Sequence, residues 1–345
     1  MKSKILLVFL AAAVIGLTTF YVNSNQFYTP VPVAKQKGVC WVGGRNEVTP
    51  DDLSALTKNN IEWISQTPFG WQSDAESPII KMNTNSDHTW WGESDQGITE
   101  TVRIARALGI KSMLKPHLWV RNGWPGDIQM RSEEEWTQWF DNYSKFILHY
   151  AKLANTNNIE IFCIGTELKG TIAHEKEWRN LIQSVRKLYH GQITYAANFH
   201  EEFDRIKFWD ALDFIGIQAY FPLSKVNKPE VSDLSASWSK HLAEIELVQN
   251  RFNKSVIFTE IGYRSTEDAA IEPWRWPQEN LTNKVCEITQ AACYQAFFDT
   301  AWKKDWLAGA YFWKWYPVKG GRLHEIDFTP QGKQAENVLN KNYSR

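Results

Sequence analysis

Residues 159–168 read IEIFCIGTEL, a strongly apolar stretch that ends in a carboxylate at Glu167. This stretch is one of eight short runs, rich in β-branched or aromatic residues, that alternate with longer segments of helical periodicity. The alternation predicts repeated βα units around a parallel sheet, and eight is the number of strands that closes a (β/α)8 barrel. We therefore predict a single-domain TIM barrel of the α/β class, with a doubly wound open sheet as the alternative. The predicted strands are Val39–Gly43, Ile61–Gln66, Ser112–His117, Glu160–Thr166, Thr194–Asn198, Phe214–Tyr220, Val256–Gly262 and Ala310–Trp315.

Helical periodicity and start signals predict helices between these strands. Thr49 fits an N-cap followed by proline, and Ser132 has a glutamate three residues later. The aromatic stripe after Ser132 is expected to pack in the core, and only the fifth βα unit, around His200–Ala211, is short. The segment Thr67–Gly97 shows no clear helix and is long for a loop, so we expect it to bind a ligand. The predicted helices are Thr49–Asn59, Thr99–Leu108, Ser132–Leu153, Glu175–Tyr189, Leu234–Asn250, Glu287–Lys303 and a last one from Thr329-Pro330 to about Leu339.

The N-terminus carries an almost uncharged apolar run, residues 5–22, behind Lys2 and Lys4. That order is typical of an export signal. Its length also approaches the span of a bilayer, and no convincing small-x-small cleavage site stands before Thr29. We expect residues 1–22 to be a signal peptide or a retained membrane anchor, residues 23–36 an extended tether, and residues 37–345 the barrel. The protein is then exported, either secreted or anchored in the cell envelope, and its only membrane contact is the N-terminal segment.

Charge and cysteine content narrow the class of function. The chain has 38 Lys and Arg against 39 Asp and Glu, a net charge of -1, and no basic block, which argues against nucleic-acid binding. The four cysteines show no C-x-x-C spacing and no histidine cluster accompanies them, so no metal site is predicted. A disulfide between Cys286 and Cys293 requires that Cys286 precede the helix, because seven helical residues separate Cα atoms by roughly 10 Å. With 18 Trp, 18 Phe and 12 Tyr, some rings are expected to face a ligand.

Two glutamates, Glu167 and Glu260, stand at the ends of the fourth and seventh predicted strands. Catalytic groups of a barrel project from these strand ends. Each glutamate alone could form an ion pair or cap the following helix. Together they lie three strands apart around the ring, so the ~5 Å separation of a retaining glycosidase is within reach. In that mechanism one carboxylate attacks the anomeric carbon and the other protonates the leaving oxygen, and their mutual repulsion should keep one of them protonated.

Motifs at five of the strands resemble glycoside hydrolase family 113, the β-mannanase type within the large clan of retaining barrel glycosidases. The resemblance covers the chain from about Lys37 to its end. It implies a (β/α)8 fold, net retention, Glu167 as acid/base, Glu260 as nucleophile, and action on β-1,4-linked mannan or manno-oligosaccharides without a cofactor. The motifs are GVCWV at 38–42, LKPHLW at 114–119, GTEL at 165–168, TEIGY at 259–263 and FWKW at 312–315.

One position departs from the wider clan, which usually places asparagine before the acid/base, where this chain has Thr166. Asn198, at the end of the fifth strand, is a candidate for the missing contact with the sugar 2-OH, unless it only closes a turn. Tyr220 resembles the clan's tyrosine that donates a hydrogen bond to the nucleophile, and the alternative is a core tyrosine.

Further candidates for sugar binding stand at or beyond strand ends. Lys115 and His117 share a strand face and are expected to bond sugar hydroxyls, although Lys115 could instead form a buried ion pair. Tryptophan rings can stack on the apolar face of a pyranose, and we expect Trp313 to form the floor of the reacting-sugar subsite. Long connections carry Trp90, Trp91 and Trp124, which either extend the cleft or anchor their loops. The other tryptophans at strand ends, which either bind sugar or pack between loops, are Trp41, Trp71, Trp119 and Trp315.

Three other functions compete with this hypothesis. Another β-glycan, such as glucan or xylan, is possible as substrate, because the fold and the glutamate pair do not report the C2 configuration. A non-catalytic carbohydrate-binding barrel of the cell envelope would keep the aromatic rings but would need neither glutamate. A phosphosugar enzyme is disfavoured, since no glycine-rich phosphate loop follows the last two strands. We expect a monomer.

Overall fold

The computed structural model describes residues 34–82, 84, 89–277, 284–317 and 323–345. Eight of its strands close into a parallel barrel in the order β1-β11-β10-β9-β8-β7-β5-β2, and β4-β3-β6 form a separate sheet. The predicted (β/α)8 barrel is confirmed, and the open-sheet alternative is wrong. The strands are β1 (Gln36–Trp41), β2 (Trp63–Gln66), β3 (Phe69–Gln72), β4 (Ile80–Met82), β5 (Lys111–Leu114), β6 (His117–Val120), β7 (Ile161–Thr166), β8 (Gln192–Asn198), β9 (Ile215–Gln218), β10 (Val256–Ile261) and β11 (Leu307–Trp315).

The helices of the described residues follow the predicted order. The cap at Thr49 is confirmed, since its hydroxyl accepts from the backbone N–H of Asp52 while the Asp52 carboxylate accepts from the Thr49 N–H. Ser132 accepts from the backbone N–H of Glu135 in the same way. The fifth unit is short as predicted, with only a 3-10 turn at Trp209–Ala211 between β8 and β9. The helices are α1 (Pro50–Lys58), α2 (Asp95–Ala107), α3 (Glu133–Thr156), α4 (Glu175–Leu188), α5 (Val231–Phe252), α6 (Glu287–Asp299) and α7 (Gln334–Tyr343).

The predicted start of the last helix at Thr329-Pro330 is wrong. The hydroxyl of Thr329 accepts from the backbone N–H of Gln331, so this cap-like pair closes a turn instead. Gly332 follows with a positive φ of 72°, and α7 begins only at Gln334. A threonine followed by proline can begin either a helix or a turn, and here the residues that follow, including Gly332, form a turn.

A three-stranded sheet, here called the wall sheet (β4-β3-β6), stands beyond the carboxyl ends of β2 and β5. Pro68 separates β2 from β3, and Pro116 separates β5 from β6. Proline has no N–H to donate, so each proline interrupts the hydrogen bonding of its strand, and a second strand begins directly after it. The alignment continues across the break, because the N–H of His117 donates to the Pro68 carbonyl at 2.9 Å. The segment Thr67–Gly97, expected to lack helix, thus contains two strands that sequence analysis missed.

The core has an inner and an outer layer. Side chains inside the barrel form one apolar cluster: Cys40, Trp63, Met113, Ile161, Phe214, Ile257 and Tyr311. A larger cluster lies between the strands and the surrounding helices. The aromatic stripe of α3 belongs to it as predicted, with Trp139, Phe140, Tyr143, Phe146, Ile147 and Tyr150 buried. This packing fixes the strands, and their carboxyl ends then hold the polar side chains at the barrel mouth.

The barrel begins slightly before the predicted boundary at residue 37. Gln36 opens β1, and the Lys35 ammonium group donates to the carbonyls of Lys304 and Leu307 at 2.7 and 2.6 Å, so both residues belong to the folded unit Lys35–Arg345 rather than to a tether. The predicted signal or anchor, residues 1–22, lies outside the described residues. Among the described residues, no helix combines the length and apolarity needed to cross a bilayer.

The four cysteines are free thiols. Cys286 does precede α6, as a disulfide to Cys293 would require, yet its sulfur instead accepts a hydrogen bond from Thr289 at 3.2 Å. Cys293 is buried in the core as a small apolar side chain.

Candidate active site

A bulge in β7 directs Glu167 toward the barrel mouth. Cys163 pairs with Thr194 and Thr166 with Ala196, so β7 contains one residue more than β8 between these two pairs. An extra residue of this kind bends a strand and turns the following side chain. Glu167 follows at once in the left-handed region, with φ of 54°, while its N–H donates to the Ala196 carbonyl at 2.9 Å. Such a backbone costs a non-glycine residue about 1 kcal/mol and is found where a side chain must be aimed.

A second bulge acts on Glu260 in β10. Phe258 pairs with Ile217 and Glu260 with Gln218, so β10 also spends one extra residue against its neighbour β9. The apolar alternation of the strand is broken at this point, and a carboxylate comes to lie inside the mouth. Both glutamates therefore owe their direction to a bulge at the end of their strands.

Glu260 is nearly buried and is held by a cation and a phenol. The ammonium group of Lys115 contacts Oε1, and the hydroxyl of Tyr220 donates to Oε2 at 2.7 Å. Burial alone would lower the pKa of Lys115, but the adjacent Glu260 carboxylate raises it, so the lysine remains charged. The Nε2 atom of His117 lies 3.6 Å from the same oxygen. Burial and the neighbouring lysine hold the pKa of His117 well below its usual value, so this imidazole is neutral.

Glu167 lies in a different environment, in which no cation of the described residues contacts it. The side-chain amide of Asn198 donates to Oε1 at 2.6 Å, and the indole N–H of Trp124 lies 3.4 Å from Oε2. Burial, followed by repulsion from Glu260, raises the pKa of Glu167 to about 7, although both hydrogen bonds oppose the shift. A carboxyl group with a pKa near 7 can both give a proton and take one back at neutral pH, as acid–base chemistry requires.

The strand register explains why these groups converge. The order β7-β8-β9-β10 places two strands between the glutamates. Asn198 pairs with Gln218, which pairs in turn with Glu260, so the three stand at one level around the ring. Tyr220, two residues beyond Gln218, then reaches Glu260, and Asn198 reaches Glu167. The expectation that Tyr220 bonds Glu260 is confirmed, and Asn198 does more than close a turn.

Aromatic rings extend from the Glu260 side onto the wall sheet. The rings of Phe69 and His117 are 5.5 Å apart, and Phe69 also contacts Trp71 and Trp119 at 6.3 Å. Trp71 and Trp119 occupy one register position across β3 and β6, with centroids 6.0 Å apart. They remain 41% and 52% exposed, respectively, which leaves ring surface open to a ligand. A row of rings thus runs from the carboxylate to the surface.

Trp313 is partly exposed at the end of β11, and the Lys115 ammonium group lies 5.9 Å from its ring centroid. Its edge contacts Trp276, which is 42% exposed, at a centroid distance of 6.4 Å. Lys314 stands over the Trp276 ring at 4.7 Å. Sequence analysis missed Trp276; the doublet of tryptophans in WRWP, residues 274–277, beyond a strand that ends in a carboxylate was the available signal.

Three of the expected sugar contacts are wrong. Trp41 and Trp315, which pair across β1 and β11, are only 2% and 1% exposed because both pack in the large apolar cluster of the core. Lys115 is fully buried and forms the ion pair that was its alternative. Trp124, left open between cleft and loop packing, reaches the site through its hydrogen bond to Glu167. In the described part of the chain no three His, Cys, Asp or Glu side chains gather as a metal site.

Comparison with known proteins assigns this arrangement to a family. The model of Glycoside Hydrolase Family 113 matches residues 42–326, which is most of the chain and includes both glutamates. The chain belongs to glycoside hydrolase family 113. It is accordingly a glycoside hydrolase, and the resemblance noted in its strand-end motifs is confirmed.

Solved structures of family 113 proteins are similar to the chain throughout. A GH113 beta-1,4-mannanase matches with TM-score 0.78 at 28% identity, over 90% of this chain and 99% of that one. The GH113 beta-mannanase AaManA from Alicyclobacillus acidocaldarius, in complex with ManMIm, matches with TM-score 0.78 at 27% identity, over 90% and 97%. No curated protein matches the chain.

A more distant structure shares the barrel fold. The β-glucuronidase from Ruminococcus gnavus, in complex with D-glucuronic acid, matches with TM-score 0.59 at 11% identity. The match covers 90% of this chain but 49% of that protein. At this identity the similarity concerns the fold alone.

Proposed function

We propose that this family 113 protein is a retaining hydrolase that cleaves β-1,4-mannosidic bonds in mannan or manno-oligosaccharides through Glu260 and Glu167. The observation that carries the proposal is the unequal environment of the two carboxyl groups. Glu260 contacts the charged Lys115 and accepts from Tyr220, as suits a nucleophile, whereas burial and repulsion raise the pKa of Glu167 to about 7, as suits an acid.

In the first step the Glu260 carboxylate attacks the anomeric carbon of the bound sugar. The glycosidic C–O bond breaks, its electron pair stays on the leaving oxygen, and Glu167 gives that oxygen a proton. A covalent glycosyl ester on Glu260 and a free sugar hydroxyl result. The Tyr220 hydroxyl, 2.7 Å from Oε2, holds the attacking group in position without neutralising it.

In the second step Glu167, now ionised, takes a proton from water. The water oxygen attacks the anomeric carbon, the ester bond to Glu260 breaks, and a sugar with its original anomeric configuration leaves. A pKa near 7 suits both roles of Glu167, since the group must give and accept a proton within one cycle. To the side chain of Asn198, which donates to Glu167 at 2.6 Å, we also assign the 2-OH contact that the clan usually gives to the residue before the acid/base.

The sugar chain is proposed to lie on the aromatic rings. Trp313, partly exposed beside the Lys115 cation, would form the floor of the reacting subsite. Trp71 and Trp119 would bind a more distant sugar, and His117 stands between these two regions. Flat rings exclude water from the apolar face of a pyranose while hydroxyls bond at its edge.

The mannan specificity is supported by the family 113 structures, which are named as beta-1,4-mannanases. Fold and glutamate pair alone would fit a glucan or a xylan equally well. Action on an external polymer also agrees with the proposed export of the chain through residues 1–22.

Two measurements test the proposal. NMR of the anomeric proton released from a manno-oligosaccharide should detect the β-anomer first, and first release of the α-anomer would exclude retention. Glu260→Ala should lower kcat/KM by several orders of magnitude, and azide should restore turnover of an activated aryl mannoside as an α-glycosyl azide. Glu246→Ala, at an exposed carboxylate paired with Lys304, is the matched control and should keep full activity. Parallel assays on glucan and xylan test the substrate.

A further inference from the structure

A third carboxyl group lies fully buried behind the site, at Glu202, just after β8. We propose that Glu202 is a positioning residue, which holds Glu167 and Asn198 in the arrangement that proton transfer to the leaving group requires. The inference rests on the proposed function, because it assigns a role within that reaction. Two chains of hydrogen bonds, one from each carboxyl oxygen, carry it.

The first chain fixes the side chain of Glu167. Oε2 of Glu202 accepts from the backbone N–H of Asn198 at 2.6 Å, and the Asn198 amide donates to Oε1 of Glu167 at 2.6 Å. The other end of that amide, Oδ1, accepts from the N–H of His200 at 2.8 Å. The amide orientation is therefore determined, since its oxygen is engaged and its NH2 group must face Glu167.

The second chain fixes the backbone beside Glu167. Oε1 of Glu202 accepts from the hydroxyl of Tyr195 at 2.5 Å, and that hydroxyl accepts from the backbone N–H of Leu168 at 2.9 Å. Leu168 follows Glu167, whose φ is 54°. The strained residue is therefore tethered on both sides, by its side chain through Asn198 and by the next peptide through Tyr195.

Packing alone does not explain a carboxyl group at this place. Within the described residues Glu202 forms no ion pair, and it has no exposed surface. Burial raises the pKa of Glu202 to about 8, against the effect of the bonds from Tyr195 and Asn198, and the nearby Glu167 adds to the rise. An apolar residue would avoid this desolvation cost, but it could not accept both hydrogen bonds. A carboxyl group at this place is therefore explained by the two chains of hydrogen bonds that it joins.

The test compares leaving groups. A phenyl β-mannobioside needs a proton from Glu167, whereas a 2,4-dinitrophenyl β-mannobioside departs without one, and kcat/KM reports the first step for both. Glu202→Gln should lower kcat/KM for the phenyl substrate about 10- to 100-fold and change it less than about 3-fold for the dinitrophenyl substrate. Equal losses on both substrates, or no loss, would overturn the inference.

Tyr195→Phe provides a second variant if Glu202→Gln does not fold, and it should show the same difference between substrates. Its control is Tyr189→Phe, which removes another buried hydroxyl, bonded to the Ile159 carbonyl at 2.8 Å next to the amino end of β7. For this control, any change in kcat/KM should be the same for the phenyl and the dinitrophenyl substrate. Glu167→Gln separates the two hypotheses. If Glu167→Gln keeps its activity on the phenyl substrate, the proposed function fails. If Glu167→Gln loses this activity while Glu202→Gln keeps it, only the positioning role fails.

Discussion

The ammonium group of Lys115 reaches Glu260 across the full width of the barrel. Lys115 follows β5 and Glu260 lies in β10, and these strands stand four positions apart in the ring of eight. A buried pair of this kind is a weak source of stability, but loss of one partner leaves an uncompensated charge. The pair therefore matters chiefly for how Glu260 is held in the site, and removal of either partner alone destabilises the protein.

Lys115→Met should lower both activity and stability. The variant leaves the buried Glu260 carboxylate without its cation, so we expect a loss of about 3–5 kcal/mol of stability at neutral pH and a fall in kcat/KM of about 10-fold or more. Thermal unfolding and steady-state kinetics measure the two effects. Lys35→Met, at a lysine that donates to backbone carbonyls far from the site, should keep the wild-type kcat/KM. Wild-type activity in Lys115→Met would contradict the assignment.

Asn198→Ala should move the alkaline limb upward. The wild-type rate is expected to fall as pH rises through about 7, because Glu167 must be protonated to act as acid. The amide of Asn198 stabilises the ionised form and lowers the pKa of Glu167, so its removal raises that pKa and extends activity to higher pH, although the maximum rate decreases. A downward shift would contradict the hydrogen bond. The readout is the profile of kcat/KM with a phenyl mannobioside.

Tyr220→Phe should lower kcat/KM about 10- to 150-fold, the effect of removing one hydrogen bond to a charged group. Folding should be unaffected, because the ring remains in place. Tyr143→Phe is the comparison, since its hydroxyl also is buried but donates to the Ile164 carbonyl at 2.9 Å. Equal activity in both variants would remove Tyr220 from the reaction.

Replacement of both Trp71 and Trp119 by alanine should affect long substrates more than short ones. The rings are proposed to bind a sugar distant from the bond that breaks, so kcat/KM on a mannohexaose should fall several-fold more than on a mannotriose. Leu247→Ala, at an exposed apolar residue of α5, controls for general loss of surface area. A uniform loss over chain lengths would argue against a distal subsite.

Thr49→Ala tests the fold without touching the site. It removes the capping box of α1 and should cost about 1 kcal/mol of stability, which lowers Tm by roughly 1–2 °C for a chain of this size. The rate constant kcat should be unchanged. A loss of activity at temperatures where the variant remains folded would show that α1 communicates with the mouth.

The barrel and its two glutamates could be predicted because both are local signals: apolar runs recur along the chain, and a carboxylate at the end of such a run is conspicuous. The burial of individual side chains could not be predicted in the same way. Trp41 and Trp315 stand at strand ends like Trp71 and Trp119, and only the closed sheet distinguishes the buried pair from the exposed one. Glu202 was missed for a similar reason, since it follows β8 in a polar segment and its partners, the Tyr195 hydroxyl and the Asn198 backbone N–H, are brought to it only by the fold.

The proline residues at 68 and 116 interrupt neighbouring strands at one level and so divide the molecule into two parts with separate duties. Below them, hydrogen-bonded register aims the reacting groups and tolerates little alteration. Above them, the wall sheet presents the exposed rings of Trp71 and Trp119 and touches the reacting groups through His117, whose Nε2 lies 3.6 Å from Glu260. We therefore expect that substitutions in the outer part of this sheet can alter which sugar chains bind while the glutamates keep their alignment.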